Sequence, residues 1–258
     1  MDEGSSSKLD SKIKTLAEML SKARRIAVIT GAGMSTDSGV PDFRSPAGIY
    51  SMTSEEIFSI DFFRENPDKF YQVFAPFYNL IANASPNVGH LALVELEKWC
   101  GKKVDVVTQN IDGLHSAAGS SCVAEIHGTL RSATCLNCEK VFERPFFDAD
   151  VRAGKTPRCS VCSGVLKPDV TFFGEELPAC AFTLAQRAMW EANILLVLGT
   201  SLQVYPAAAL PRECDAGAPF VVINKTPTSL DYQSSLLFRE SIVDVLPKAV
   251  ALVKKETC

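Results

Sequence analysis

The sequence lacks any apolar run long enough to cross a bilayer. A spanning helix takes roughly 18 apolar residues or more, and the longest run here, Ile194 to Leu198, is only of strand length. It also lacks a basic surplus: 26 Lys and Arg stand against 30 Asp and Glu, for a formal net charge of −4. Neutralising phosphates requires clustered basic side chains, so direct nucleic-acid binding is not expected. Histidine is scarce, with three in the chain, so each one is weighed individually as a candidate acid or base. Met1 to Ser7 is acidic and Gly/Ser-rich, without the charged-then-apolar plan of a secretion signal. Residues 1–8 are therefore expected to form a disordered tail ahead of one domain over 9–258, with no membrane partner and a cytoplasmic placement that leaves nuclear access open. Cys258 is the last residue and not fourth from the end, so no prenylation box is expected.

What is present suits a globular chain. At 258 residues and 47% hydrophobic, it can bury a core without disulfide staples. Nine cysteines is an odd total, and four of them form two tight pairs, which favours metal binding under reducing conditions over a disulfide framework.

Leu9, Ile13, Leu16, Ala17, Leu20 and Ala23 recur at helical spacing. Strand candidates are Ile26–Thr30, Val104–Val107, Val123–Ile126, Ile194–Leu198, Phe220–Ile223 and Ile242–Leu246. They are continuous in hydrophobicity and separated by helical stretches such as 87–99 and 181–191, the pattern of a parallel sheet covered on both faces. The expected fold is α/β: a Rossmann-like doubly wound parallel sheet. Two stretches interrupt the alternation, 45–80 (Phe- and Tyr-rich) and 131–167 (holding the cysteine pairs), and are read as insertions that form a smaller lobe.

Most strands end in small or polar groups: Thr30-Gly-Ala-Gly, Thr108-Gln-Asn-Ile-Asp, His127-Gly, Gly199-Thr-Ser and Asn224-Lys-Thr. In open α/β sheets the ligand crevice lies outside the carboxyl ends of the strands. Gly31-Ala32-Gly33 lets backbone approach a pyrophosphate, although the sixth position of the dinucleotide fingerprint is Thr36 and a tight turn with no ligand has the same signature. Asp42, Phe43 and Arg44 read either as a loop closing over a ligand or as a surface loop with Phe43 tucked inward. Gln109, Asn110 and Asp112 suit ribose hydroxyls and a carboxamide; helix capping is the alternative. His127 ends a strand facing the crevice, where a neutral imidazole is either a general base or a hydrogen-bonded structural residue. His90 and His115 fall on expected helices, in packed or solvated roles.

Cys135-Leu-Asn-Cys138 and Cys159-Ser-Val-Cys162 form two knuckles whose spacer lies at the edge of the tetrahedral-zinc range. Four thiolates leave no open coordination position, so the zinc is expected to be structural.

Taken together, Gly31 to Ser45, Thr108 to His115, His127-Gly128, the two knuckles, Lys167 to Glu175 and Gly199 to Ser201 resemble the sirtuin family of NAD-dependent protein lysine deacylases. The resemblance spans about residues 10 to 250. It implies that NAD is consumed as a co-substrate, that His127 is the general base with Asn110 and Asp112 beside it, and that Cys135, Cys138, Cys159 and Cys162 form a zinc ribbon remote from the chemistry. It further implies cofactor contacts at Gly31, Ala32 and Gly33, at the mobile loop of Asp42, Phe43 and Arg44, at Gln109, Asn110, Ile111 and Asp112, at Gly199, Thr200 and Ser201, and at Asn224, Lys225 and Ile242. Val170, Phe172, Gly174 and Glu175 are expected on the substrate peptide, added as a strand. Acyl-lysine proteins or peptides, with histones among the candidates, are the implied partners.

The implied reaction displaces nicotinamide with the acyl carbonyl oxygen, after which His127 accepts a proton from the ribose diol. It yields free lysine, nicotinamide and O-acyl-ADP-ribose. The chain departs from the family in two places. Glu240-Ser241 stands where Gly-Asp is common, and Phe74-Ala-Pro-Phe77 is the best match to the Tyr-x-x-Arg pattern of succinyl- and malonyl-preferring members, which points to neutral acyl groups. Protein mono-ADP-ribosyl transfer from the same NAD site is the first alternative, and an NAD-sensing or zinc-lobe binding module without turnover is the second. The set His127, Asn110 and Asp112 weighs against the second.

Overall fold

The computed structural model describes residues 3–257 apart from 47 and 216; side-chain detail begins at Ser7 and ends at Lys255. The helices are α1 (Glu3–Lys22), α2 (Ile49–Met52), α3 (Ile60–Glu65), α4 (Pro67–Asn83), α5 (Val88–Lys98), α6 (Leu114–Ala118), α7 (Arg144–Arg152), α8 (Ala179–Trp190) and α9 (Ile242–Thr257). The strands are β1 (Arg25–Thr30), β2 (Lys103–Thr108), β3 (Val123–Glu125), β4 (Gly128–Cys135), β5 (Val141–Glu143), β6 (Leu166–Val170), β7 (Ile194–Leu198), β8 (Phe220–Ile223) and β9 (Leu236–Phe238). Among the described residues no helix is long and apolar enough to cross a membrane.

Six strands form one sheet in the order β3-β2-β1-β7-β8-β9, and every pairing is parallel. β1, β2, β7 and β8 are buried along nearly their whole length, which is why they read as unbroken apolar runs. The order runs outward in one direction from β1 to β3 and in the other from β7 to β9. The switch therefore falls between β1 and β7, the place where such sheets hold ligands. Register aligns the strand ends: Thr30 pairs with Thr108 and with Leu198, Leu198 with Ile223, and Thr108 with Glu125.

One core layer packs α1, α5 and α9 on the sheet through Leu16, Leu20, Leu93, Leu96, Val245 and Val250. The opposite layer seats α8 through Ala185, Ala188 and Met189. A third cluster is separate and rich in aromatic rings, joining Phe63, Phe70, Tyr71 and Phe74 to Leu166, Phe147 and Cys135. It binds α3 and α4 to the three-stranded antiparallel sheet β5-β4-β6. Tyr71 donates its hydroxyl to the Leu166 carbonyl at 2.6 Å, so the ring is buried without losing its polar partner.

The sequence expectation needs correction at both ends. Residues 242–246 are the start of helix α9 and not a strand. Ile242, Val245, Leu246, Ala249, Val250 and Val253 recur at helical spacing and are all buried; packing against α1 and α5 overrides the β-branched local preference. The sixth strand is instead the short edge β9. Helix α1 starts at Glu3, inside the stretch expected to be a tail; Met1 and Asp2, like Cys258, lie outside the described residues.

Candidate functional site

The site is built where the loops after β1 and β7 meet. Gly31 N–H donates to the Leu198 carbonyl at 3.2 Å and Gly33 N–H to the Gly199 carbonyl at 2.9 Å. A Cβ on Gly33 would stand 2.8 Å from Gly199 Cα, and one on Gly31 2.7 Å from Thr200 Cβ. These glycines are needed because the two loops pack backbone to backbone; here the close approach is between segments of protein, and it fixes the floor of the crevice.

Gln109, Asn110 and Asp112 leave the end of β2. Gln109 Nε2 donates to Thr200 Oγ1 at 2.9 Å, tying the β2 end to the β7 end. Asn110, buried, donates through Nδ2 to Ser35 Oγ at 3.1 Å, and Ser35 donates to Asp112 Oδ2 at 2.7 Å. Asp112 Oδ1 accepts the Leu114 N–H at 2.9 Å, so the capping and functional readings of this residue are compatible. Ser35 was not singled out by sequence reasoning, although it lies within the glycine-rich segment; a fully buried hydroxyl linking Asn110 to Asp112 is visible only in three dimensions.

His127 follows β3. Its Nδ1 lies 3.0 Å from the Gln109 carbonyl oxygen. A carbonyl only accepts, so Nδ1 carries the proton and Nε2 presents a lone pair. Burial lowers the imidazole pKa from its ordinary 6.5, partly opposed by that hydrogen bond, which keeps the ring neutral at physiological pH. The next residue, Gly128, has φ +79°, and a Cβ there would overlap the Asp169 carbonyl oxygen. Only glycine lets the chain turn from His127 into β4.

The loop carrying Asp42, Phe43 and Arg44 is packed down. Asp42 Oδ1 accepts the Ser45 N–H at 2.9 Å; the Phe43 ring lies 5.4 Å from Tyr50 and 6.5 Å from Phe58; Arg44 reaches over Tyr50 at 5.7 Å. Beyond β8, Asn224 donates to the Thr226 carbonyl at 2.7 Å, and Lys225 is exposed. Ile242 opens α9, and as the first helical residue its N–H has no partner inside the helix. Ser241 donates to Asp37 at 3.0 Å, so the departure at Glu240-Ser241 fastens the α9 entrance to the glycine loop's side of the crevice.

On the expected peptide strand, Val170 pairs with Gly128. Phe172 is a core ring, 5.4 Å from Phe63, and its N–H donates to Glu175 Oε2 at 2.8 Å. The exposed ring is Phe173, whose N–H and carbonyl pair with Phe58 and Ile60. Lys167 bridges to Glu175 at 2.9 Å and holds this segment from beneath.

The four cysteine sulfurs lie within 4.8 Å of one another, with Cys135–Cys162 at 3.5 Å and Cys138–Cys159 at 3.6 Å. A tetrahedron with zinc–sulfur bonds of about 2.3 Å has edges of about 3.8 Å, so the thiols fit one zinc ion. Backbone N–H groups of Asn137 and Val161 donate to the Cys135 and Cys159 sulfurs, each at 3.4 Å. β4 separates this cluster from His127 by its whole length of 8 residues, roughly 25 Å at about 3.3 Å per residue, so the metal stands apart from the crevice.

The Sir2 family model matches residues 31–206. The chain belongs to the Sir2 family. It is 40% identical over 238 residues to NAD-dependent protein deacetylase 1 of Pyrobaculum aerophilum, covering 92% of this chain and 93% of that protein. It is 42% identical over 238 residues to the NAD-dependent protein deacetylase of Chromobacterium violaceum, covering 90% and 95%. Among solved structures it is similar to a Sir2 with a p53 peptide and NAD+, at a TM-score of 0.83 and 35% identity over 93% of this chain and 98% of that one. It also resembles a Sir2 bound to a propionylated peptide, at TM-score 0.84 and 35% identity, with the same coverage. In this Sir2 family member the strand-end residues Gly33 and Gly199 meet directly, Asn110 and Asp112 are joined through Ser35, Gln109 is tied to the β7 end through Thr200, and His127 joins them through Gln109. Asn224 follows β8, beyond the sheet switch, Ile242 lies beside Gly89 at the start of α5, and Glu175 is on the small-lobe side.

Proposed function

We propose that this protein is an NAD-dependent protein lysine deacetylase that transfers the acyl group to ADP-ribose, releasing nicotinamide and O-acetyl-ADP-ribose. The observation that carries the reading is His127: a neutral imidazole with its Nδ1 proton committed to Gln109 and Nε2 free to take a proton. NAD supplies the electrophilic ribose carbon and the leaving nicotinamide. Asn110 and Asp112, held by Ser35, orient the carboxamide end, and Gln109, held by Thr200, meets the ribose. The Gly31–Gly33 and Gly199–Ser201 loops lie under the diphosphate, with Asn224, Lys225 and the Ile242 N–H toward the adenosine. The Phe43 ring, already among Tyr50 and Phe58, excludes water from the reacting carbon.

An amide oxygen is a weak nucleophile, so positioning supplies much of the acceleration, and His127 adds the proton transfer. The substrate is an acyl-lysine peptide entering beside Glu175 and Gly174, histone tails among the candidates. Phe173 backbone is paired with Phe58 and Ile60, so the peptide does not meet a wholly open strand edge there. We assign the enzyme to the cytoplasm, with nuclear substrates within its reach.

Incubating the protein with labelled NAD and an acetyl-lysine peptide tests the reading. Soluble acetylated ADP-ribose with stoichiometric nicotinamide is expected. Label retained on protein would instead identify an ADP-ribosyltransferase.

A further inference from the structure

Beneath Asn110 runs a chain of buried polar groups to which the steps above assign no role. Thr108 closes β2, and its Oγ1 accepts the Asn110 N–H at 3.0 Å and the Thr30 hydroxyl at 2.8 Å. Thr30 Oγ1 lies 3.1 Å from His115 Nε2. Thr30, Thr108 and His115 are all buried. Thr30 commits its single hydroxyl hydrogen to Thr108, so it meets the imidazole with a lone pair, and His115 must carry its proton on Nε2.

The second ring is His90, packed against the first. His90 Nδ1 accepts the Asn87 N–H at 3.3 Å, which leaves the His90 proton on Nε2. His90 Nε2 and His115 Nδ1 are buried without a hydrogen-bond partner, a donor and an acceptor on rings 4.7 Å apart. Burial keeps both rings neutral. An orphaned buried polar atom destabilises the fold, and hydrophobic side chains of similar volume would fill the same space without that cost. Packing alone therefore does not explain these groups.

We propose that Thr108, Thr30 and His115 are positioning residues, a neutral hydrogen-bond relay that fixes the Asn110 backbone and so aims its amide at Ser35 and the nicotinamide end of the dinucleotide. Without the hydrogen from Thr30, the Thr108 oxygen loses one of the two donors that hold it, keeping only the Asn110 N–H, and the turn that follows β2 loosens. The inference rests on the function proposed above.

Thr108→Val keeps the side-chain shape and removes the hydroxyl, Thr108→Ser restores it, and Thr30→Val cuts the link to His115. With the full chain carrying its zinc and an acetyl-lysine peptide, both valine variants are expected to lower kcat for nicotinamide release at least about tenfold while peptide KM stays within about twofold. Thr108→Ser should return to within about threefold of the parent, and the double valine variant should be no slower than the slower single one. Parent-like kcat with only a lower melting temperature, or a serine variant no better than valine, would overturn the relay. Nitrogen NMR of the histidine-labelled parent gives a readout independent of turnover: at about pH 7.5 His115 should be neutral and protonated at Nε2, and an Nδ1-protonated or cationic ring would overturn it. The expected spectrum from a protein that releases no nicotinamide would count against the deacetylase reading and leave the relay standing.

Discussion

His127 Nδ1 sits 3.0 Å from the carbonyl oxygen of Gln109, so the residue expected on the ribose also sets, through its backbone, which nitrogen of the base is free. Replacing His127 with Ala should lower the deacetylation rate by about 100- to 10,000-fold, the range a positioned general base supplies. One zinc per chain should remain, because the thiol cluster lies at the other end of β4. Rates on an acetyl-lysine peptide and metal analysis check both halves, and equal turnover would remove His127 from its role.

Burial depresses the His127 pKa below 6.5, and a base acts only when neutral. The acidic limb of kcat/KM for the free enzyme should therefore fall below the ordinary imidazole range, leaving activity near its plateau at about pH 6.5. A limb centred above that point would contradict this.

His90 and His115 are held down to about 4 and about 3 by burial, with Asp112 partly opposing the shift at His90. Unfolding returns both to about 6.5, so the unfolded chain binds more protons below that pH. Their contribution is fully present above about 6.5 and is lost progressively as pH falls toward about 4 and about 3. Urea midpoints measured from about pH 7.5 to about 4.5 should drop, and His115→Phe should flatten that slope.

Gly128→Ala combines a left-handed backbone with an overlap on the Asp169 carbonyl. A loss of about 2–3 kcal/mol is expected, together with reduced kcat because His127 is the neighbouring residue. Gly39 has φ +83° and open space around its missing Cβ, so Gly39→Ala should cost only about 1–2 kcal/mol. Equal denaturant midpoints for the two variants would contradict the steric argument.

Phe74 and Phe77 are buried aromatic residues of α4, and a phenyl ring cannot neutralise a carboxylate. Acetyl-lysine or longer neutral acyl-lysine peptides should turn over faster than succinyl-lysine peptide. The reverse order of kcat/KM would refute the assignment.

Much of the fold was legible because a strand buried on both faces must be apolar throughout, and Ile194–Leu198 and Phe220–Ile223 carry that requirement in their side chains alone. The knuckles were legible for a similar reason, since two-residue spacing is what brings paired thiols to one ion. Ile242–Leu246 misled because a short apolar run has no period of its own; its partners α1 and α5 decided that it is a helix. Ser35, Thr30 and Thr108 were silent because a small hydroxyl residue in sequence carries no mark of its partner.

Which groups could do chemistry was written in side chains and short spacings: the thiol set, the imidazole at His127, and the amide and carboxylate after β2. Their states were set by the folded sheet. The proton on His127, the clasp of Ser35 between Asn110 and Asp112, and the contact of Gly33 with Gly199 depend on segments far apart in the chain. Those segments meet only when the parallel sheet brings the carboxyl ends of β1, β2 and β7 into one row.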